Sequence, residues 1–256
     1  MTDAILVASF GTSIAETREK NITAVENAVA AAFPYCKIYT ATTSGIVRSL
    51  MKKQGVFAQD IAAALAQMQR DGMKNIVVLP THLLYGEEYD KLCAAVSAAQ
   101  HTFKSVRIAK PLLASHEDMR SVLEIVAAEN PVAEDECLVC MGHGTMHFCN
   151  SVYAALDYLA KASGLANIFI GTVEAYPDLD AVISAAKKAG CKKALLCPLM
   201  LVAGDHALND MAAPQDGSWR SAFEKEGFSV RCNIRGLGES AAIRALYCAH
   251  AAAAMQ

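Results

Sequence analysis

Short apolar segments alternate with longer helical segments along this 256-residue chain, and this order constrains the fold more than any other feature. Ile5 to Ser9 and Cys137 to Met141 are typical of the apolar segments, and each is followed by a turn and then by a segment rich in helix-forming residues. Apolar strands that each precede a helix are typical of parallel sheets covered by helices on both faces. The sequence therefore predicts an α/β fold.

The two halves of the chain resemble each other. Leu79 to Glu88 aligns without gaps on Cys197 to His206, and Ile5 to Thr12 resembles Leu138 to Thr145. A repeat of about half the chain length indicates a duplicated structural unit. We therefore predict two similar lobes, each a parallel β-sheet flanked by helices.

The alternating pattern is interrupted between the halves, where Pro131 and the acidic segment Glu134 to Glu136 follow a helical segment. We place the boundary there and predict an N-terminal α/β lobe over residues 1–132 and a C-terminal α/β lobe over residues 133–256. Two such lobes form a cleft, and open parallel sheets bind ligands beyond the carboxyl ends of their strands. We expect the ligand site in that cleft.

Composition excludes several classes of partner. The formal net charge is -3 and the basic residues are scattered, whereas binding to nucleic acid needs clustered Lys and Arg. No apolar stretch approaches the ~20 residues of a membrane span, and the start of the sequence lacks the pattern of a secretory signal. The nine cysteines, several of them in apolar segments, are typical of free thiols in a reducing compartment. We therefore predict a soluble cytoplasmic protein without nucleic-acid or membrane partners.

Three residues of types that commonly bind metals follow apolar strands of the second half. His143 lies between two glycines directly after one strand, Glu174 follows the next, and His206 follows a third at the start of a predicted helix, with Asp205 as its expected cap. A helix N-terminus disfavours the imidazolium, so His206 should stay neutral. Because parallel strands bring their carboxyl ends together, we expect these side chains to converge. Two imidazoles and a carboxylate suit Co, Fe, Ni or Zn.

Other interpretations of these patterns stay open. A lone histidine at a strand end is most often a satisfied polar residue, and a lone glutamate at a helix start is most often a partner of the helix dipole. Gly142-His143-Gly144 and the segment Gly236 to Ala241 partly match dinucleotide-binding loops, but neither has the full context. We treat His82, His101, His116 and His250 as structural or exposed.

Several longer motifs resemble the class II chelatase family of anaerobic sirohydrochlorin cobaltochelatases (CbiK). The resemblance extends in order over nearly the whole chain, and its most specific part is the segment Pro198 to Met211. The other motifs are Val7 to Ser13, Thr43 to Gly45, Gly86 to Tyr89, Met141 to Gly144, Val173 to Pro177 and Gly236 to Glu239.

The resemblance implies a two-lobed, ferrochelatase-like fold with the macrocycle held between the lobes. It implies ATP-independent insertion of Co²⁺ into sirohydrochlorin, as in anaerobic cobalamin biosynthesis, with release of two protons. The residues that match the family's metal ligands are His143, Glu174 and His206. The residue that matches Glu88 lies in the family's active-site region, so we expect His143, His206 and Glu88 to be catalytic.

The substrate carries many carboxylates, for which backbone N–H groups, hydroxyls and an arginine are natural partners. The residues that we expect to bind it are Ser9, Phe10, Gly11, Thr12, Ser13, Thr43, Ser44, Gly45, Arg48, Tyr85, Met200 and Ala203. For the Gly, Ser and Thr residues, ordinary turn chemistry is the competing explanation.

The expected partners are the tetrapyrrole and a divalent metal ion, and no cofactor beyond that substrate metal is expected. Activity should fall as pH drops through the range in which imidazoles become charged. The alternatives are insertion of iron or nickel into the same tetrapyrrole, a carrier of metal or haem that does not catalyse insertion, and a zinc hydrolase. The sequence leaves a homo-oligomer open.

Overall fold

The computed structural model describes residues 2–256 and contains two compact units. Unit 1 runs to Ala114 and also includes Gly238–Gln256, whereas unit 2 comprises Ser115–Leu237. None of the helices in the described residues is long and apolar enough to cross a membrane.

Unit 1 is built on a parallel sheet with the strand order β2-β1-β3-β4. Every residue of β1 is buried, because this central strand has neighbours on both edges and helices on both faces. The strands are β1 (Ala4–Ser9), β2 (Lys37–Thr42), β3 (Asn75–Pro80) and β4 (Ser105–Ile108). The helices are α1 (Ala15–Arg18), α2 (Ala24–Ala32), α3 (Gly45–Lys53), α4 (Ile61–Arg70), α5 (Glu87–Ala99) and α10 (Ala241–Met255), and a π-helical segment (Glu19–Thr23) joins α1 to α2.

Unit 2 repeats this arrangement with the parallel strand order β6-β5-β7-β8. Its central strand is also completely buried. The strands are β5 (Glu136–Gly142), β6 (Ile168–Thr172), β7 (Lys193–Pro198) and β8 (Ser229–Cys232). The helices are α6 (His116–Glu129), α7 (Ser151–Ala162), α8 (Leu179–Lys188) and α9 (Trp219–Lys225), with a π-helical segment over His206–Met211.

The α/β class and the two similar units, each a parallel sheet flanked by helices, are therefore confirmed. Equivalent strands occupy equivalent places in the two sheets, as expected for a duplicated unit. Cys137 and Cys140 lie buried inside β5 as free thiols.

The units differ from the predicted division into residues 1–132 and 133–256. Helix α6 belongs to unit 2, where it packs on α7, and α10 belongs to unit 1, where it packs on α2 and β3. Burial is the physical reason that α10 belongs to unit 1. Its Tyr247 is fully buried there and donates a hydrogen bond to the Thr81 carbonyl at 2.7 Å. An apolar helix face follows the surface that buries it rather than its position in the chain.

Candidate metal centre

The three predicted ligands come together at the carboxyl edge of the unit 2 sheet. His143 directly follows the central strand β5, Glu174 follows its neighbour β6, and His206 lies in the connection after its other neighbour β7. The Glu174 N–H donates to the His143 carbonyl at 3.0 Å, which continues the pairing of β5 and β6 beyond the strands. The strand order therefore brings the three side chains together.

One ligand atom from each of His143, Glu174 and His206 lies within 4.8 Å of the others. The two imidazole rings meet edge to face with their centroids 4.7 Å apart, and His143 Nδ1 is 3.6 Å from Glu174 Oε2. Metal–ligand bonds of about 2.1 Å place ligand atoms roughly 3–4 Å from each other. The triad is thus close to the spacing that one ion requires.

Hydrogen bonds orient both imidazoles. Nδ1 of His143 is 2.8 Å from the Gly144 carbonyl, and Nδ1 of His206 is 2.6 Å from Asp210 Oδ2. When Nδ1–H donates in each of these bonds, the lone pair is left on Nε2, the atom that then binds a metal. The side chains of His143 and Glu174 are about half exposed, so an ion can reach them from solvent.

Both glycines beside His143 are required by their surroundings. A Cβ atom on Gly142 would lie 2.3 Å from the buried ring of Tyr153. Gly144 has a φ of +85°, and a Cβ there would lie 2.9 Å from the Ala175 nitrogen. Tyr153 is hydrogen-bonded to the backbone of Gly144 and His143, and burial raises the pKa of its hydroxyl to about 12. The tight turn that holds His143 therefore rests on a neutral tyrosine.

Asn150 links the loops that carry His143 and Glu174. Its Oδ1 accepts from the Thr145 N–H at 3.1 Å, and its Nδ2 donates to the Tyr176 carbonyl at 2.6 Å. Sequence reasoning did not single out this residue, since an asparagine beside a helix start is usually a local turn residue.

Asp210 was also missed, although its spacing was a usable signal, because residues i and i+4 of a helical turn lie on one face. The carboxylate of Asp210 supports the imidazole of His206 in the way that outer carboxylates support metal-bound histidines. Asp205, by contrast, was expected to cap the helix, and this was wrong. Its backbone is already helical, its side chain makes no cap bond, and it accepts from Asn209 at 2.8 Å instead.

In unit 1, several predicted substrate-binding side chains have partners inside the protein. Ser9 is buried and accepts from the Thr81 hydroxyl at 2.8 Å, Thr12 accepts from the Ile14 N–H, and Ser44 caps α3 through the Val47 N–H. These hydroxyls therefore shape the turns after β1 and β2.

Other predicted substrate-binding residues of unit 1 are more accessible. Phe10 is half exposed, and Gly45 is exposed at the start of α3. Gly11 has a φ of +100°, and Ser13 is partly buried beside it.

The side chain of Arg48 also has its partners inside unit 1. Its Nη1 donates to the carbonyls of Thr42 and Thr43 at 2.7 and 2.8 Å, and its Nη2 lies 3.9 Å from Asp60. The guanidinium thus holds the end of β2, which competes with the predicted role as a substrate anchor.

The remaining predicted substrate-binding residues divide between the units. Tyr85 of unit 1 is about half exposed and meets Tyr89 edge to face with centroids 4.9 Å apart. In unit 2, Ala203 is buried in the core, and Met200 is partly buried against the same core. Ala203 is therefore poorly placed to offer its side chain to a ligand.

Glu88 lies in the first turn of α5 in unit 1, close to Thr43 and His82. Lys91 donates to Glu88 Oε1 at 2.7 Å. Burial alone would raise the pKa of Glu88, but the hydrogen bonds from Lys91 and Thr43 outweigh it and lower that pKa. Glu88 is thus an ionised carboxylate near neutral pH.

Comparison with known proteins identifies the family of this chain. The family described as cobalt chelatase (CbiK) matches residues 3–256. A sirohydrochlorin cobaltochelatase of Salmonella typhimurium is 37% identical over 252 residues, which cover 98% of this chain and 95% of that protein. The sirohydrochlorin cobaltochelatase CbiKC of Nitratidesulfovibrio vulgaris is 31% identical over 239 residues, which cover 92% of this chain and 84% of that protein.

Solved structures of low sequence identity share the fold. SirB from Bacillus subtilis with Fe³⁺ has a TM-score of 0.61 at 13% identity and covers 98% of this chain and 94% of its own. CbiX, described as the terminal enzyme for biosynthesis of siroheme in denitrifying bacteria, has a TM-score of 0.58 at 18% identity and covers 99% of this chain and all of its own. Because the family match extends over almost every residue, the chain belongs to the cobalt chelatase (CbiK) family.

Proposed function

We propose that this chain inserts Co²⁺ into sirohydrochlorin without ATP and releases two protons for each ion inserted. The observation that carries the proposal is the triad of His143, Glu174 and His206, whose ligand atoms lie within 4.8 Å of one another in a chain of the cobalt chelatase family. The ion and the macrocycle are both substrates, and the proposal needs no resident cofactor. It is compatible with a cytoplasmic location and with a homo-oligomer.

The triad suits capture of the ion and removal of its water. Neutral Nε2 atoms of His143 and His206 replace water ligands, and Glu174 offsets one of the two positive charges of the ion. Three protein ligands leave coordination positions open for the nitrogens of the macrocycle. The order of metal affinities does not favour cobalt over nickel or copper, so insertion of iron or nickel into the same tetrapyrrole is the alternative within this reaction class.

Exposed apolar side chains follow the ligands in the same loops of unit 2. Met146 and Phe148 come after His143, Tyr176 comes after Glu174, and Leu208 comes after His206. Large apolar groups that stay exposed beside polar ligands are typical of surfaces that bind a partner with an apolar face. We propose that these side chains contact the macrocycle and that its carboxylates are bound by backbone N–H groups and hydroxyls.

The two pyrrole protons need acceptors. Glu88 is ionised and only partly buried, so its carboxylate is available as a base, and His143 or His206 can accept a proton as the metal leaves it. We propose Glu88 as an acceptor, because a histidine that holds the ion has no free lone pair for a proton.

Turnover tests the proposed function. Catalytic amounts of the protein, incubated anaerobically with sirohydrochlorin and Co²⁺, are expected to produce many equivalents of the cobalt complex, which absorbance follows. A reaction that stops at one equivalent would instead support a metal or haem carrier. Hydrolase activity at a zinc-loaded triad, without affinity for the macrocycle, would support a zinc hydrolase.

The Asp210→Asn variant is expected to weaken Co²⁺ binding by about 10- to 100-fold, because the neutral amide no longer holds the His206 ring with a charged hydrogen bond. Calorimetric titration of the metal-free protein with Co²⁺ measures this change. Asp205→Asn is the matched control, since that carboxylate lies one residue before His206 but accepts a hydrogen bond from Asn209 and has no contact with the His206 ring among the described residues. Equal affinities of the two variants would contradict the supporting role of Asp210.

A further inference from the structure

Three buried side-chain atoms of unit 1 lack hydrogen-bond partners among the described residues: Oδ1 of Asn21, Nδ1 of His82 and Oε2 of Glu88. The last two belong to neighbouring side chains. Buried nitrogen and oxygen atoms almost always have a partner, either in the protein or in an ordered water. The pair therefore indicates an additional hydrogen-bonding partner at this place.

His82 and Glu88 lie at the edge of the unit 1 sheet that corresponds to the metal centre of unit 2. His82 follows β3 just as Met200 follows β7, and Glu88 occupies the position that aligns with His206. The duplicated fold thus places a second polar cluster at the carboxyl ends of its strands, with Thr43 of the β2 end as its third member.

The protonation state of His82 fixes what its free atom can do. Burial lowers the pKa of His82 to about 4, so the imidazole is neutral near pH 7. Nε2 lies 3.3 Å from the Thr43 hydroxyl. When Nε2–H donates to that hydroxyl, Nδ1 carries a lone pair and is an acceptor. In this tautomer both orphaned atoms are acceptors.

Charge decides between a cation and a neutral donor. Within unit 1, the charged groups at the cluster include the Glu88 carboxylate, the Lys91 ammonium that is bonded to it at 2.7 Å, and the Arg48 guanidinium, which donates to the Thr43 carbonyl at 2.8 Å. His82 is neutral. The cluster has no net negative charge to offset the cost of dehydrating a divalent ion. A water molecule, which donates two hydrogen bonds, satisfies both acceptors without that cost.

We propose that a water molecule bridges His82 Nδ1 and Glu88 Oε2, and that His82 relays the protons that Glu88 takes from the substrate. This inference rests on the proposed function. The pyrrole N–H bond breaks and its proton forms an O–H bond on Glu88; the acid passes a proton to the water, which passes one to Nδ1. Nε2 then releases its proton to the partly exposed Thr43 hydroxyl, which turns its own hydrogen away from Glu88 and gives it to solvent. Each carrier ends with the number of protons with which it began, but the ring proton of His82 now lies on Nδ1 and must return to Nε2 before the second proton is relayed.

The low basicity of His82 suits a relay rather than a proton store. An imidazole whose surroundings disfavour its charged form holds the extra proton only briefly. His82 does not touch the substrate in this scheme; it acts through the water and Glu88.

A crystal structure of the metal-free protein tests the water directly, since density is expected within hydrogen-bond distance of both orphaned atoms. The His82→Asn and His82→Gln variants test the relay, because amides hydrogen-bond but do not pass protons. We expect each to lower kcat for insertion about 100-fold, with a larger solvent deuterium isotope effect and with unchanged Co²⁺ affinity and KM for sirohydrochlorin. Two independent replacements keep the test valid if one of them folds poorly.

His250→Gln is the matched control, because His250 is a second histidine of unit 1 and is buried, with its Nδ1 3.2 Å from the Lys110 carbonyl. Wild-type kcat and isotope effect in both folded His82 variants, or an empty gap between the two atoms, would overturn the inference while leaving the proposed function intact. If the unaltered chain itself shows no turnover, the proposed function fails and the relay fails with it, whereas the water is still decided by the crystal structure.

Discussion

Replacing His143 or His206 with alanine is expected to lower metal insertion by more than about 100-fold while the protein stays folded. Loss of an outer partner of a metal ligand already costs about 10- to 100-fold, and each of these variants removes a ligand itself. The His143 side chain is about half exposed and that of His206 about one-third exposed. Substitutions at exposed positions usually change the free energy of unfolding by less than ~0.5 kcal/mol.

Initial rates of insertion, measured together with the thermal unfolding of each variant, separate a loss of metal insertion from a loss of stability. His116→Ala is the control, since His116 is an exposed histidine of the same unit, at the start of α6. We expect it to retain the unaltered rate. Normal turnover in either ligand variant would remove that histidine from the mechanism, and a large fall in unfolding temperature would assign it a structural role instead.

The sequence predicted those parts of the fold and site that depend on strand order. Apolar strands followed by helices specified two parallel sheets, and the residues directly after three strands could be expected to meet because parallel strands end at one edge. His143 and Glu174 illustrate this, since their loops continue the pairing of β5 and β6. Helix α10 was assigned to the other unit, because nothing in its own sequence identifies the surface that buries it.

Residues whose role depends on contacts with segments distant in the sequence were much harder to predict. Asn150 joins two loops, because its amide oxygen accepts a hydrogen bond from Thr145 and its amide nitrogen donates one to Tyr176. Only the three-dimensional structure brings these two residues to it. His82 was treated as structural or exposed because a single histidine after a strand is usually satisfied. The unpaired state of its Nδ1 depends on how β3, the β2 end and α5 pack, which the local sequence does not encode.

The burial of His82 also predicts how the free energy of unfolding depends on pH. Burial lowers its pKa from 6.5 to about 4 in the folded chain. Between those values the unfolded chain binds the proton and the folded chain does not, so stability rises with pH through this range and is lost as pH falls through it. A shift of this size corresponds to about 3 kcal/mol.

Urea denaturation of the unaltered chain and of His82→Gln at several pH values from 7 to 4 measures this contribution. Other groups titrate in the same range, so the informative quantity is the difference between the two proteins, which should change by about 3 kcal/mol in favour of the variant as the pH falls. His101→Gln, at an exposed histidine, should follow the unaltered chain at every pH. Parallel curves for the unaltered chain and His82→Gln would mean that the folded protein accepts the charge on His82. His82 would then be a base of ordinary strength, and the low basicity that suits it to the proton relay would be absent, whatever the rate of metal insertion.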